Sequence, residues 1–232
     1  MPYPVEMMKY FERYDNYENL LIKKFNAHFL WQKLPKKNNK FFVDILFQVG
    51  HLSSIFVPWY ERAKLGLDGE GDKEILRAIL RDEIPRDLPT HQDDRFHDLV
   101  EKIGISKNRM LNTEASPQTK RTIKQLFDLI RYPQLDYDLK ILVALRIAGE
   151  ILPAETYRHI VPVLAARFGI QPEESMFYYP HFKHDEKGGK GHADSFSPSL
   201  KSLIIDSRTL AIAEKSALKA FKIRLAFYNQ FI

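Results

Sequence analysis

Hydrophobic residues recur along most of the chain at the three- and four-residue spacing of an α-helix, and no stretch shows the alternation of a strand bounded by turns. The pattern predicts helices over residues 4–34, 40–67, 73–84, 91–105, 116–131, 135–151, 153–168 and 172–183, followed by a final helix of about thirty residues that begins at Ser197. We therefore predict an all-α protein, a single-domain bundle of about seven to nine helices.

Prolines, glycines and capping residues set several of these boundaries. Ser116 and Pro117 are typical of an N-cap and a first helical position, and Pro85 with Pro89 would end the third helix. Pro58 lies inside the predicted helix over 40–67, where its missing N–H group predicts a kink.

Length and composition indicate one compact domain over residues 1–232, since 44% of the residues are hydrophobic and no linker or repeat divides the chain. The absence of cysteine excludes disulfides, zinc–thiolate sites and a cysteine nucleophile. The N-terminus does not resemble a secretory signal, and no apolar run approaches the roughly 18 residues of a membrane span. We expect a cytoplasmic protein.

The charged residues are mixed along the chain rather than clustered. The 35 basic and 30 acidic residues give a formal charge of +5, and no nucleic-acid-binding motif accompanies the small excess. We expect a small molecule as the partner, and neither nucleic acid nor a membrane. A homodimer is an open alternative.

Two glutamates lie on apolar helix faces. Glu83 follows Ile79 by four residues, and Glu150 follows Ile147 by three within a segment of small and apolar residues. Burying an unpaired carboxylate costs several kcal/mol, so each side chain needs a cation, a basic partner or a raised pKa. The alternatives to a metal ion are pairing of Glu83 with an arginine, such as Arg77 or Arg146, and helix faces that are less buried than the pattern suggests.

A histidine-rich segment, 177-FYYPHFKHDEKGGKGHAD-194, offers further ligands. On one helix, the i, i+4 spacing of His181 and Asp185 would place both side chains on one face, where they could reach a single ion. Imidazole and carboxylate groups suit first-row metals such as iron, manganese or zinc. A solvated loop is the alternative interpretation of this stretch.

Four short segments, taken in order, resemble the haem-oxygenase-like di-iron oxidases and oxygenases, which include CADD-like proteins and have the metal-free PqqC and the TenA proteins as relatives. They are 82-DE-83, 97-HDLVEKIGI-105, 149-GEILPAETY-157 and 178-YYPHFKHD-185. The resemblance implies two iron ions, or a manganese and an iron ion, with dioxygen as co-substrate and a small organic molecule as substrate. It implies metal ligands at Glu83, His97, Glu150, His181 and Asp185.

The sequence departs from this pattern at two places. Gly188 occupies the position of the last histidine, and His192 is the nearest later histidine, with His184 as an alternative. A longer segment follows Glu83, which makes His91 an alternative to His97, and only the prolines in that segment would let the glutamate and the histidine converge.

Other side chains are candidates for a substrate pocket. His51, Gln48 and Tyr178 could line it, although His51 could equally be a hydrogen-bonded core residue. CADD-like proteins can consume one of their own tyrosines, and the residues to inspect here are Tyr60, Tyr157, Tyr178 and Tyr179. Two other functions remain open on the same bundle: a metal-free oxidase resembling PqqC, and a protein-interaction module.

Overall fold

The structure, a computed structural model, describes residues 5–84, 91–132, 134–185 and 187–232, without the side chains of residues 5–8, 91 and 92. Within these ranges it contains helices and no strand, which confirms the all-α prediction. The first seven helices are α1 (Val5–Asn26), α2 (Phe29–Lys33), α3 (Asn39–Ser53), α4 (Phe56–Gly66), α5 (Glu70–Glu83), α6 (His91–Phe96) and α7 (Lys107–Asn112). The others are α8 (Pro117–Leu129), α9 (Tyr137–Leu145), α10 (Leu152–Phe168), α11 (Tyr178–Asp185), α12 (His192–Ser195), α13 (Ser197–Leu203) and α14 (Ser207–Tyr228).

The described residues also contain five shorter helical turns. Three are 3₁₀ turns, at Leu34–Lys36, Pro172–Glu174 and Asn229–Phe231, and two are π-helical, at His97–Lys102 and Arg146–Ile151. The second π turn joins α9 to α10 without a break, so the separate helix that the sequence predicts from Pro153 continues the one before it. π turns inside α-helices are rare and are frequent at functional sites.

The long helices α9, α10 and α14 form the centre of the bundle. α14 packs against α1, α8 and α9, while α10 packs most extensively against α11. Leu142, Ile147 and Phe227 lie in the shared interior and are completely buried. Burial of such side chains contributes about 1.5–3 kcal/mol each.

Two of the predicted long helices are interrupted. The helix over 40–67 is split between α3 and α4, because Pro58 lies in the first turn of α4, where its missing N–H costs no hydrogen bond. The N-terminal helix ends at Asn26, and His28 caps α2 by accepting a hydrogen bond from the N–H of Leu30.

The final predicted helix is also divided. α13 ends at Leu203, and Asp206 then caps α14 by accepting a hydrogen bond of 2.7 Å from the N–H of Thr209. The Thr209 hydroxyl accepts from the N–H of Asp206, which completes a capping box.

The stretch Asn39–Gly66 is long and apolar enough to cross a membrane by length and composition. Its side chains nevertheless include Phe42, Ile45 and Leu46, which are completely buried in the bundle. This arrangement is typical of a core helix in a soluble protein, and a cytoplasmic location stays a prediction.

Candidate metal centre

The imidazole of His192 lies at the centre of a cluster of carboxylates. Its Nδ1 atom is 3.2 Å from Asp185 Oδ1, 3.6 Å from Glu150 Oε2 and 3.8 Å from Glu83 Oε1. Its Nε2 atom is 3.3 Å from Asp82 Oδ2 on the outer side. The structure thus brings together four of the residues predicted as ligands, with Asp82 as an additional neighbour.

Glu150 enters the cluster from the π turn between α9 and α10, and it is completely buried. The hydroxyl of Tyr60 on α4 donates a short hydrogen bond to Glu150 Oε1, which leaves Oε2 directed at His192. Gly149 permits this contact, because a Cβ atom there would lie 2.2 Å from the Tyr60 hydroxyl oxygen.

Helix α11 carries His181 and Asp185 at the predicted i, i+4 spacing. The Nδ1 atom of His181 bonds to the carbonyl oxygen of Phe177 at 2.6 Å, which favours the tautomer whose lone pair is on Nε2. Metal-binding histidines commonly donate their other ring N–H in this way. His181 and Asp185 line the same cavity as Glu83.

The start of α11 is held by a carboxylate that was not among the predicted site residues. Asp98 is completely buried and accepts hydrogen bonds from the Ser175 hydroxyl and from the backbone N–H groups of Met176 and Phe177. The signal for it was its place beside His97 in the segment 97-HDLVEKIGI-105. Asp98 therefore positions the helix that presents His181 and Asp185.

The glycine-rich turn after α11 reverses the chain and places His192 against the cluster. Gly191 packs so closely on α11 that an added Cβ atom would lie 1.4 Å from the carbonyl oxygen of His184. Asp194 Oδ2 accepts hydrogen bonds from the N–H groups of Gly188 and Lys190, at 3.0 and 2.9 Å, and fixes the turn. The insertion seen in the sequence therefore serves to return a histidine to the cluster.

Arg146 holds the segment that follows His192 in the chain. Its guanidinium donates to the carbonyl oxygen of Ala193 and to the Ser197 hydroxyl, and it pairs with the buried carboxylate of Glu18 at 3.0 Å. Lys187 also pairs with Glu18, at 3.2 Å, which ties the glycine-rich turn to α1.

The groups of the cluster perturb one another strongly. Burial raises the pKa of Glu150 to about 7, with the charge of Asp185 adding to the effect. Burial alone would lower the pKa of His192, but the carboxylates of Asp185 and Glu150 outweigh it and raise this pKa to about 11. Burial likewise opposes ionisation of Asp185, yet the neighbouring His184 and His192 lower its pKa overall.

Among the remaining candidate ligands, His184 lies at the edge of the cluster. His184 is half exposed, its Nδ1 atom is 3.2 Å from Asp185 Oδ1, and its ring packs edge-on against His192 at 4.2 Å. Asp82, His184 and His192 could hold an ion on the outer side. His97 opens the first π turn, and its described contacts are to Asp98 at 3.3 Å and Glu101 at 3.7 Å. The side chain of His91 lies outside the described residues.

The two arginines considered as partners of Glu83 pair with other carboxylates. Arg77 binds Glu70 and Glu74 on the exposed face of α5, and Arg146 binds Glu18. The cluster has the polar atoms that a metal ion would need. Among the described side chains, Glu150 Oε2 and His192 Nδ1 are buried without a hydrogen-bond partner. Buried polar atoms of this kind need a ligand, an ion or a water molecule.

A cavity of about 60 Å³ adjoins the cluster. Its wall combines acidic and imidazole groups with apolar, hydroxyl and guanidinium groups. The lining residues are Val49, Leu52, Ser53, Phe56, Glu83, Gly149, Pro153, Thr156, Tyr157, Phe177, His181, Asp185, Arg224 and Tyr228. Small-molecule sites typically have this combination of apolar walls with a few polar groups.

The three side chains predicted to line a pocket are not among the residues that line this cavity. His51 Nε2 bonds to the carbonyl oxygen of Thr113, and Gln48 accepts from the N–H of Ser116, so both hold the segment before α8. Tyr178 is completely buried and packs edge-on against Tyr157. Of the four candidate tyrosines, Tyr60 contacts the cluster and Tyr157 lines the cavity.

The fold and this site define an all-α bundle whose buried histidine and carboxylate groups could hold a metal ion. Two crystal structures, both described as a CADD-like protein of unknown function from Nostoc punctiforme, have the same fold. The structure at 2.00 Å resolution matches with a TM-score of 0.74 and 14% identity, covering 95% of this chain and 97% of the other. The structure at 1.35 Å resolution gives a TM-score of 0.71 and 14% identity, with 95% and 94% coverage. Neither a protein-family model nor a curated protein matches the sequence.

Proposed function

We propose that the chain is a non-haem di-metal oxidoreductase, with two iron ions or a manganese and an iron ion, that uses dioxygen to oxidise a small organic molecule. The observation that carries this proposal is that two facing atoms of the cluster, Glu150 Oε2 and His192 Nδ1, are buried without a hydrogen-bond partner among the described residues. They face each other across 3.6 Å, with Asp185 and Glu83 beside them. Oxygen and nitrogen donors without thiolate suit iron and manganese.

In this proposal the metal is held by Glu83, Glu150, Asp185 and His192, with His181 from the cavity side. Iron bound there would supply the redox chemistry that reduces dioxygen. The ligand-bearing side chains come from α5, the π turn, α11 and α12, so the ions would sit where these elements meet.

Other side chains would orient the ligands. Tyr60 holds one oxygen of Glu150, Asp82 lies 3.3 Å from the outer nitrogen of His192, and Phe177 accepts from His181. Contacts of this kind fix the direction of each ligand and typically change metal affinity 10- to 100-fold when removed. The apolar wall formed by Val49, Leu52 and Phe56 would exclude water from the reacting end of the cavity.

Metal content is the decisive measurement. The protein, freed of metal by chelation and reloaded with Fe(II) or Mn(II) without oxygen, should retain about two equivalents after desalting, as measured by elemental analysis. Glu150→Ala should abolish this loading. Glu155→Ala is the matched control, because Glu155 is buried on the adjoining helix but bonds to Asn26 and Arg158 instead of the cluster.

An oxygen electrode gives the second test. The Fe(II)-loaded protein should consume dioxygen faster than the same concentration of free Fe(II), and Glu150→Ala should not exceed the free ion. If the wild-type protein retains no metal, the proposal is wrong, and the metal-free oxidase and the interaction module become the remaining hypotheses.

A further inference from the structure

Arg224 is a buried cation for which the described residues provide no carboxylate partner. It projects from α14, is 7% exposed, and lines the cavity beside the metal cluster. Its Nε atom donates a hydrogen bond of 2.8 Å to the carbonyl oxygen of Ala148, and among the described residues no carboxylate lies within 4 Å of it. A buried guanidinium normally forms a salt bridge, because an uncompensated buried charge is costly.

The neighbouring polar groups of the cavity are already engaged with one another. The Ser53 hydroxyl lies 3.2 Å from the Tyr157 hydroxyl, and the Thr156 hydroxyl pairs with that of Tyr228. Burial raises the pKa values of both tyrosines, so these phenols stay neutral and do not balance the charge of Arg224. The acidic groups of the lining, Glu83 and Asp185, belong to the metal cluster.

We propose that Arg224 binds the carboxylate of the substrate, and that the substrate class is a carboxylic acid with a short apolar chain. A planar guanidinium matches a carboxylate with two parallel hydrogen bonds. Val49, Leu52 and Phe56 provide the apolar wall for the chain, and the acid's other end would face the cluster. The cavity volume of about 60 Å³ is well below the roughly 150 Å³ that holds benzene in an engineered cavity, so the chain is short.

This inference deepens the proposed function, because it names the substrate class for the same cavity. Its test is binding rather than turnover. Butyrate and its neutral isostere butyramide are titrated by calorimetry into the chelated protein and into the protein supplied with Mn(II). Butyrate should bind in both forms, more tightly with Mn(II), and at least tenfold more tightly than butyramide.

Arg224→Met should weaken butyrate binding about ten- to hundredfold and leave butyramide binding unchanged. Arg208→Met is the matched control on the same helix, since Arg208 is exposed and pairs with Asp136. It should bind butyrate as the wild type does. If Arg224→Met does not fold, the wild-type comparison of butyrate with butyramide still decides, and equal binding of the two overturns the inference.

The outcomes also separate the inference from the proposed function. Butyrate binding that needs Mn(II) and survives Arg224→Met would show a carboxylate on the metal, and would overturn the role of Arg224 while supporting the metal site. Butyrate binding that depends on Arg224 in a protein that retains no manganese would support the inference and reject the proposed function.

Discussion

Two buried tyrosines each donate a hydrogen bond to a buried glutamate, but the two pairs lie in different electrostatic surroundings. Tyr14 bonds to Glu18, which also pairs with the cations Arg146 and Lys187. Tyr60 bonds to Glu150, whose charged neighbours are His192 and further carboxylates. The first pair is a structural ion cluster with two cations, whereas the second lies among the residues proposed to hold the metal.

Tyr60→Phe should therefore weaken metal binding as well as stability. The substitution removes the donor to Glu150 Oε1, which should cost about 1–3 kcal/mol of unfolding free energy and lower Mn(II) affinity 10- to 100-fold. Urea unfolding measures the first quantity, and Mn(II) titration followed by electron paramagnetic resonance measures the second.

Tyr14→Phe is the matched control for this experiment. It removes a hydrogen bond of 2.6 Å from the Tyr14 hydroxyl to Glu18 Oε1, and Glu18 is completely buried outside the metal cluster. Its stability should fall by a similar amount, and its Mn(II) affinity should equal that of the wild type. Equal Mn(II) affinity in both variants would refute the orienting role of Tyr60.

The stability of the protein should fall in mild acid because of His159. Its ring stacks on Trp31 at 4.7 Å and its Nε2 bonds to Asn26, and burial lowers its pKa from 6.5 to about 4. Above pH 6.5 the ring is neutral in both states. Between pH 6.5 and pH 4 the unfolded chain takes up a proton that the folded protein does not, so this stability is lost as the pH falls.

His159→Gln should remove this pH dependence, on the order of 1–2 kcal/mol after allowance for the partial exposure of the ring. Urea unfolding at pH 7.5 and pH 4.5 gives the comparison. The metal-free protein is used, so that metal loss in acid does not contribute. If the unfolding free energy of the wild type and of the variant changes equally with pH, His159 is not the cause. A pKa of His159 near 6.5, measured by nuclear magnetic resonance, would also contradict the prediction.

At the scale of helices, the sequence predicts the features that follow from helical periodicity within one segment. The i, i+4 spacing of His181 and Asp185 holds on α11, and the apolar stripe does direct Glu83 inward at the end of α5. The position of His192 depends instead on the close approach of Gly191 to α11, a contact between segments that periodicity does not encode. From the sequence, His192 is therefore identifiable only as the nearest later histidine.

The same distinction explains the errors in the helix boundaries. Proline, glycine and capping residues each mark a possible helix end. Each long apolar stretch contains several of them, and the sequence does not tell which one ends the helix. Asp206 and Thr209 form a capping box inside the predicted final helix, and this local signal was missed. The π turn over Arg146–Ile151 has no comparable signal, because its apolar residues also satisfy an α-helical period.

Gly191→Ala tests whether the close approach places His192. The added methyl group would overlap the backbone of His184, so the turn must move and the imidazole with it. We expect loss of most of the metal loading. Elemental analysis of the desalted protein after Mn(II) addition is the measurement.

Gly188→Ala is the control in the same turn. Gly188 has a φ of 85° and open space around it, so alanine there should cost about 1 kcal/mol through backbone strain without a clash. This variant should retain its metal. Equal metal retention by both variants would contradict the proposed role of Gly191.

At the scale of the whole molecule, the cluster joins segments that are distant in sequence. Glu83 ends α5, Glu150 lies in the π turn, Asp185 ends α11 and His192 begins α12. Bringing three carboxylates together opposes folding by like-charge repulsion, and a cation among them would reverse that effect. Since the unfolded chain does not hold these ligands in place, the free energy of metal binding should add to the stability of the folded protein.

The protein should therefore melt at a higher temperature when metal is present. Mn(II) at one hundred times its dissociation constant should add about 2.7 kcal/mol, which corresponds to a rise in Tm of about 5–10 °C for a domain of this size. Differential scanning calorimetry with and without chelator measures the shift. Glu150→Ala should show no rise, whereas Glu155→Ala should show the full rise, because its carboxylate lies outside the cluster. A wild-type Tm that is insensitive to Mn(II), Fe(II) and chelator would mean that the carboxylates are held by the protein alone.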